Sequence, residues 1–165
     1  MSFLMWLEST SFGTFVREGQ SLLAYPTFTV VHTVGLSIVV GISGIIGARL
    51  AGLAPTMPLA PLKRLFPIIW FGFALNLISG SGLAMAAATR TVPNPYFITK
   101  ILCVIVAVVI LRRLQVKVFG DPEVDNKPLD ATTRMLGMSL LGLWVIAMIA
   151  GRLIGYSVDL IPPVF

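Results

Sequence analysis

The side chains of this sequence that could bind a metal or a cofactor are few, and four of them carry the prediction of function. His32 is the only histidine among the 165 residues. Lys100 and Arg152 are isolated cations in apolar stretches, and Met148 lies four residues before Arg152, hence on the same helix face. Histidine is a common ligand of haem iron and of metals, and a nearby cation can pair with a haem propionate. These residue types indicate a haem or metal site.

The composition predicts which elements must position these residues. Apolar residues make up 56% of the chain and charged residues only 12%, about half the fraction of a soluble domain. Four stretches are long enough to cross a bilayer core of about 30 Å, which needs roughly 20 apolar residues. We therefore expect an all-α integral membrane four-helix bundle, a single domain over residues 1–165, with spans at about 24–48, 65–89, 96–116 and 135–158.

The distribution of basic residues predicts the orientation. Eight of the twelve Lys and Arg residues lie beside the connections between the first and second spans and between the third and fourth. Basic loops favour the cytoplasmic side of a membrane. We expect a multi-pass protein of the bacterial inner (cytoplasmic) membrane with both termini in the periplasm.

Residues 1–20 precede the first span and carry apolar side chains at loosely helical spacing, among them Phe3, Leu7, Phe12 and Phe15. This pattern predicts an amphipathic helix on the outer surface of the membrane, an interfacial segment rather than a span. A frayed polar tail is the alternative, and Gly13 weakens the helical interpretation.

Depth along the spans places the candidate residues in one layer. At 1.5 Å per residue, His32 lies about 12 Å, Cys103 about 10 Å and Arg152 about 9 Å from the outer ends of their helices. We predict His32, Arg152, Met148 and Lys100 as cofactor-binding residues in the periplasmic half, with His32 as the metal ligand. Since one chain has one histidine, the haem would need His32 from two subunits, a His32–Met148 pair, or five-coordinate iron.

Each of these residues also has an interpretation without a cofactor. His32 could simply bond to a neighbouring helix, and Lys100 and Arg152 could extend to lipid headgroups. Met148 and Cys103 could be packing residues. The spans contain no acidic residue, so no triad and no carboxylate pair is possible there. We predict no catalytic residues, and no basic stripe indicates nucleic-acid binding.

Small residues predict where the helices pack. Ala147, Gly151 and Gly155 repeat every four residues in the fourth span, and Ser37–Gly41 and Gly44–Ala48 do so in the first. Small residues mark helix contacts in lipid, within a chain or between subunits, and we expect a homo-oligomer. The short connection at residues 89–95 predicts that the second and third spans are neighbours.

Short motifs along the chain resemble a known group of proteins. Tyr25-Pro26 with His32, Asn94-Pro95 with Lys100, and Gly151-Arg152 are similar to those of an uncharacterised bacterial family of four-helix inner-membrane proteins. The early histidine followed by small residues resembles, more loosely, copper-resistance D-type and b-type cytochrome membrane proteins. The closer resemblance implies the fold and the location, and the looser one implies haem or copper.

The sequence thus favours one function over another. The first hypothesis is an oligomeric membrane protein that binds haem b, or less readily copper, through His32, and serves electron transfer or redox sensing with a redox partner protein. The second is a non-catalytic membrane scaffold or accessory subunit whose polar layer binds membrane lipids or a partner helix.

Overall fold

The computed structural model describes residues 3–19, 23–126 and 128–157, and every regular element in these ranges is helical. The prediction of an all-helical fold is confirmed. The helices are α1 Phe3–Ser9, α2 Ser11–Glu18, α3 Tyr25–Ala51, a 3-10 helix Ala60–Leu65, α4 Phe66–Ala86, α5 Ala88–Thr91, α6 Pro95–Lys117 and α7 Ala131–Ser157.

Three helical segments are long and apolar enough to cross a membrane. They are Tyr25–Ala51, Ala60–Ala86 and Ala131–Ser157. The fourth long helix, α6, has 23 residues, but it is not among these three. The structure therefore supports a membrane protein, and the fourth span remains a prediction.

Polar side chains and prolines set the helix boundaries. Pro26, Pro67 and Pro95 each lie in a first turn, where a missing N–H group costs no hydrogen bond. The helix α7 begins at Ala131, four residues before the predicted span, because the Asp130 carboxylate accepts a hydrogen bond from the backbone N–H of Thr133. Hydrogen bonds from Thr133 hold the pKa of Asp130 below its ordinary value of 3.8. Residue 158, the predicted end of that span, lies outside the described residues.

The N-terminal segment forms two short helices where one was predicted. Thr10 separates them, since its hydroxyl accepts a hydrogen bond from the Gly13 backbone N–H and so starts α2. Both helices pack against the rest of the protein, α1 on α5 and α2 on α4. Phe3, Phe12 and Phe15 nevertheless keep large exposed areas, as an interfacial segment requires. Residues 1, 2 and 20 of this prediction lie outside the described residues.

The helix α3 is the central packing element, because it contacts both α4 and α7, and α7 in turn packs on α6. Two glycine pairs allow these close approaches. A methyl group at Gly35 would lie 2.9 Å from the Gly72 carbonyl oxygen, and one at Gly137 would lie 2.8 Å from that of Gly47. These glycines, which were not among the predicted small-residue repeats, form the closest backbone contacts.

The predicted repeats lie mostly elsewhere on the helices. A methyl group built at Gly41, Gly44 or Gly155 would meet no atom within 4 Å. For Gly41, Gly44 and Gly155 the predicted role inside the bundle was wrong, whereas Ala147 lies in the hydrophobic core and Gly151 packs against Lys100. The role of the repeats between subunits stays a prediction.

The helices α4 and α6 are consecutive long helices, yet their backbones are not among the closely packed pairs. Side chains bridge them instead: the Trp70 indole N–H donates to the Gln115 side-chain oxygen at 3.0 Å. Side-chain contacts such as this one therefore make α4 and α6 neighbours. The backbones of α4 and α6 pack less closely than those of the pairs α3–α4, α3–α7 and α6–α7.

The two ends of the bundle differ. At the 3-10 end, Phe66 and Phe119 pack edge to face in the core, and the Asp125 carboxylate accepts hydrogen bonds from the backbone N–H groups of Leu59 and Ala60. The opposite end, called the α5 end below, holds the start of α3 and α6, the end of α4 and α7, and the helices α1, α2 and α5.

Candidate functional site

His32 lies on α3, about 10 Å from the start of the helix toward the middle of the bundle. Its side chain is half-buried and contacts two other helices. Its Nδ1 atom lies 3.2 Å from the Ser79 hydroxyl oxygen of α4, and its Nε2 atom lies 3.3 Å from the Lys100 amine nitrogen of α6. The ring therefore connects three helices near the α5 end.

The hydrogen bonds around the ring determine its tautomer. The Ser79 hydroxyl donates its proton to the Leu75 carbonyl oxygen at 2.6 Å, so its oxygen is left to accept from His32. Nδ1 therefore carries the proton. Because an ammonium group has only donors, Nε2 must accept from Lys100. The arrangement holds a neutral imidazole with its lone pair directed at the lysine.

Two residues of α4 accommodate His32, Asn76 at its backbone and Gly80 at its ring. The Asn76 side-chain amide donates to the His32 backbone carbonyl oxygen at 3.2 Å. Gly80 makes room for the ring, since a methyl group at that position would lie 2.9 Å from the His32 Cε1 atom. Ser79 itself is buried. The imidazole thus has little freedom to turn away from Lys100.

Lys100 reaches this site from the far side of the bundle. Its side chain runs past α7 at Gly151, where a methyl group would lie 3.5 to 3.7 Å from the last three atoms of the lysine. The long helices α3, α4, α6 and α7 contain no aspartate or glutamate. Within the described ranges, the only ion pairs join Arg17 to Glu8 and Glu18. Lys100 is a half-buried cation that pairs with no described carboxylate.

The structure does not bring the other two predicted site residues to His32. Arg152 is exposed, donates to the Tyr156 hydroxyl at 3.2 Å and lies over the ring of the same tyrosine. Met148 is also exposed. Both therefore lie on the outer face of α7, whereas Lys100 approaches α7 at the half-buried Gly151. Of the four predicted residues, the structure joins His32 and Lys100.

The structure does not form the predicted His32–Met148 ligand pair, and haem binding by five-coordinate iron or by His32 of two subunits stays a prediction. The Nε2 atom that would bind iron accepts from Lys100, and Nδ1 donates to Ser79. Met148, the predicted second ligand, lies on an exposed face. Within the described part of the chain, no group of three or more His, Cys, Asp or Glu side chains could hold a metal ion. Half-buried Cys103 packs against the hydrophobic core, in line with its interpretation as a packing residue.

Sequence reasoning missed several polar contacts at the α5 end. Asn94 is fully buried; its side-chain oxygen accepts from the Tyr96 backbone N–H, and its amide donates to the Ser157 hydroxyl at 2.8 Å. It thereby caps α6 and ties it to the end of α7. The Asn-Pro pair at the start of a span was the available signal.

A second missed contact attaches the N-terminal helices. The Glu8 carboxylate accepts hydrogen bonds from both the backbone N–H and the hydroxyl of Thr89, each at 2.8 Å. Glu8 also lies 4.0 Å from Arg17. This carboxylate holds α1 against the connection between α4 and α6, which no local sequence pattern predicts.

Comparison with known proteins adds no further assignment at this point. No protein-family model, no curated protein and no solved structure matches this chain.

Proposed function

We propose that this protein is a non-catalytic membrane scaffold or accessory subunit that binds an anionic headgroup, a phosphate or a carboxylate, at Lys100 and His32. One observation carries the proposal: a half-buried lysine that meets a neutral imidazole and no described carboxylate. A charge removed from water is costly unless an opposite charge accompanies it. An ionisable residue inside a membrane bundle is a functional candidate for this reason.

The looser packing of α4 against α6 supports access from the membrane. Lys100 extends from α6 to the His32 ring, which lies against Gly80 of α4, so the pair lies between two helices whose backbones are not closely packed. An amphiphile could enter sideways there while its chains stay in lipid. We infer that the occupant is a membrane lipid with an anionic headgroup.

The same proposal includes four spans. The helix α6, with 23 residues, is about 34 Å long, which exceeds the bilayer core of about 30 Å. Its charges are Lys100 near one end and Arg112, Arg113 and Lys117 near the other, from which long side chains reach the interface. The excess of basic residues at the 3-10 end supports placing that end in the cytoplasm of a bacterial inner membrane. Both termini would then be periplasmic.

The test is a lipid titration. Protein in nanodiscs of zwitterionic phosphatidylcholine is compared with protein in discs containing phosphatidylglycerol, and the unfolding temperature is measured. A ligand that binds only the folded state raises that temperature. We expect an increase for the wild type, loss of the increase in Lys100→Gln, and no loss in Lys63→Gln, an exposed cation at the 3-10 end. An equal increase in Lys100→Gln and wild type would refute the proposal.

The increase, and not the absolute stability, is the quantity to compare. Removing a half-buried lysine can itself stabilise the fold, because an unpaired charge is costly. The haem and copper hypothesis is checked on the same samples by their visible spectrum and metal content. A Soret band that disappears in His32→Ala would favour haem over lipid at this site. The homo-oligomer and the redox partner stay predictions.

A further inference from the structure

The hydrogen bonds of the His32 ring suggest how the site discriminates between ligands of different charge. This inference rests on the proposed function. Lys100 occupies the Nε2 lone pair, whereas Nδ1 donates to Ser79. If an anion binds the ammonium group of Lys100, that group turns toward the anion and leaves Nε2. The vacated nitrogen can then take a proton from the aqueous phase, and histidine is the side chain suited to this change near neutral pH.

The resulting imidazolium would face the same anion as Lys100. Asn76 ties the His32 backbone to α4, Gly80 leaves space that the ring fills, and Ser79 keeps its hydrogen bond to Nδ1 in both protonation states. Nε2, now a donor, therefore points at the position that Lys100 has left. Two cationic donors on one small group match two negative charges better than one. A phosphate diester carries one charge, and a phosphate monoester carries nearly two above its second pKa of about 6.

We propose that the site selects a lipid phosphate monoester over a phosphate diester, and that His32 takes up one proton when the monoester binds. His32 is then the residue that determines specificity, while Lys100 provides the charge common to both ligands.

Among the described residues, no other charged group near the ring could provide the second cationic donor. On α6 the facing group is Lys100, and α4 contributes the uncharged Ser79, Asn76 and Gly80. On α7, Arg152 is bound to Tyr156 on the exposed face. The charged residues of α1 and α2 are occupied with one another and with Thr89. The other described charges of these helices lie toward the 3-10 end, at Arg49, Arg112, Arg113, Lys117 and Arg134, and Arg90 lies on the short helix α5.

The experiment is calorimetric titration of short-chain lipids into the protein in phosphatidylcholine nanodiscs at pH 7.5. One titrant is a phosphatidic acid, a monoester, and the other is a phosphatidylglycerol, a diester. Repeating each titration in two buffers of different ionisation enthalpy gives the number of protons taken up. For the wild type we expect the monoester to bind about tenfold more tightly, as one additional screened charge pair would give, with uptake approaching one proton.

The variants separate this inference from the function on which it rests. His32→Gln should bind both lipids equally and take up no proton, while Lys100→Gln should bind neither. Equal affinities in the wild type, or unchanged proton uptake in His32→Gln, would overturn the inference and leave the proposed function standing. Undiminished binding by Lys100→Gln would overturn both. The wild-type proton count requires no variant to fold.

The source of the phosphate is tested in the same way. Titration with inorganic phosphate should give no binding at lipid concentrations that saturate the site, because the group is expected to arrive from the membrane. Inorganic phosphate that binds as tightly as the lipid would overturn the lipid part of the proposal.

Discussion

The contact between α3 and α7 makes a quantitative prediction about one glycine. Replacing Gly137 by alanine places a methyl group 2.8 Å from the Gly47 carbonyl oxygen, 2.8 Å from Leu50 Cβ and 3.0 Å from the Ala51 backbone nitrogen. Two of these three atoms are backbone and cannot rotate away. The helices must therefore separate, and overpacking of this kind costs about 1–3 kcal/mol.

The matched control is Gly142→Ala on the same helix. A methyl group there meets no atom within 4 Å. Both substitutions gain about 1 kcal/mol of helix propensity, since glycine is unfavourable inside a helix. The difference between the two variants therefore isolates the overpacking term, about 1–3 kcal/mol. For a chain of this size each kcal/mol shifts the unfolding temperature by about 2–4 °C.

The assay is thermal unfolding in detergent micelles or nanodiscs, followed by far-UV circular dichroism. We expect Gly137→Ala to unfold about 2–12 °C below Gly142→Ala. Gly47→Ala should show a smaller decrease, because its new methyl group would lie 3.1 Å from the Gly137 carbonyl oxygen. If Gly137→Ala unfolds at or above the temperature of Gly142→Ala, the close approach of α3 and α7 is wrong.

Three further predictions concern polar contacts. Asn94→Ala should lower the free energy of unfolding by about 2–3 kcal/mol, because a helix cap and a buried hydrogen bond are lost. Chemical denaturation measures this change. The control is Asn126→Ala, since Asn126 is exposed and its replacement should hardly change the free energy of unfolding. Glu8→Ala should make amide hydrogen exchange in α1 about tenfold faster or more, because two hydrogen bonds to a charged group are lost. Glu18→Ala removes only an exposed ion pair and should leave exchange in α1 unchanged. Since folding lowers the pKa of Asp130, the stabilisation by this carboxylate is complete above pH 3.8 and is lost as the pH falls through the lower folded value. Amide hydrogen exchange in the first turn of α7 should then become faster at acidic pH in the wild type, but not in Asp130→Asn. Exchange in the wild type that does not change with acid would contradict the cap.

Much of the fold follows from simple properties of the sequence. Long apolar stretches predict long helices, and the observed ranges agree with the predicted spans to within a few residues, apart from the early start of α7. Caps explain the remaining differences. The hydrogen bonds made by Thr10 and Asp130 depend on the local geometry of single side chains, which apolar periodicity does not describe.

The helix contacts were harder to predict, for a physical reason. Helices that are apolar on all sides show no hydrophobic face, so only small residues distinguish one side from another. On α3 the glycines at 35 and 47 face partner helices and those at 41 and 44 face outward. The spacing of the glycines along α3 does not show which of them face a partner helix.

The candidate site shows the same division. His32 and Lys100 are predictable as site residues, because ionisable side chains are rare in apolar helices. Their contact is not, since it requires α6 to lie across the bundle from α3 with α4 and α7 on either side. Arg152 and Met148 share the predicted depth with His32 but lie on the exposed face of α7, so depth alone did not identify the site.

The position of α3 between α4 and α7 has a consequence for biogenesis. During synthesis α3 is made before α7, so the side of α3 that contains Gly47 has no partner until α7 has been synthesised. A nascent chain stalled after α6 would hold a completed α3–α4 hairpin with one bare glycine face. Such an intermediate is open to wrong helix pairing, and it is the stage at which an insertion chaperone would have most to protect.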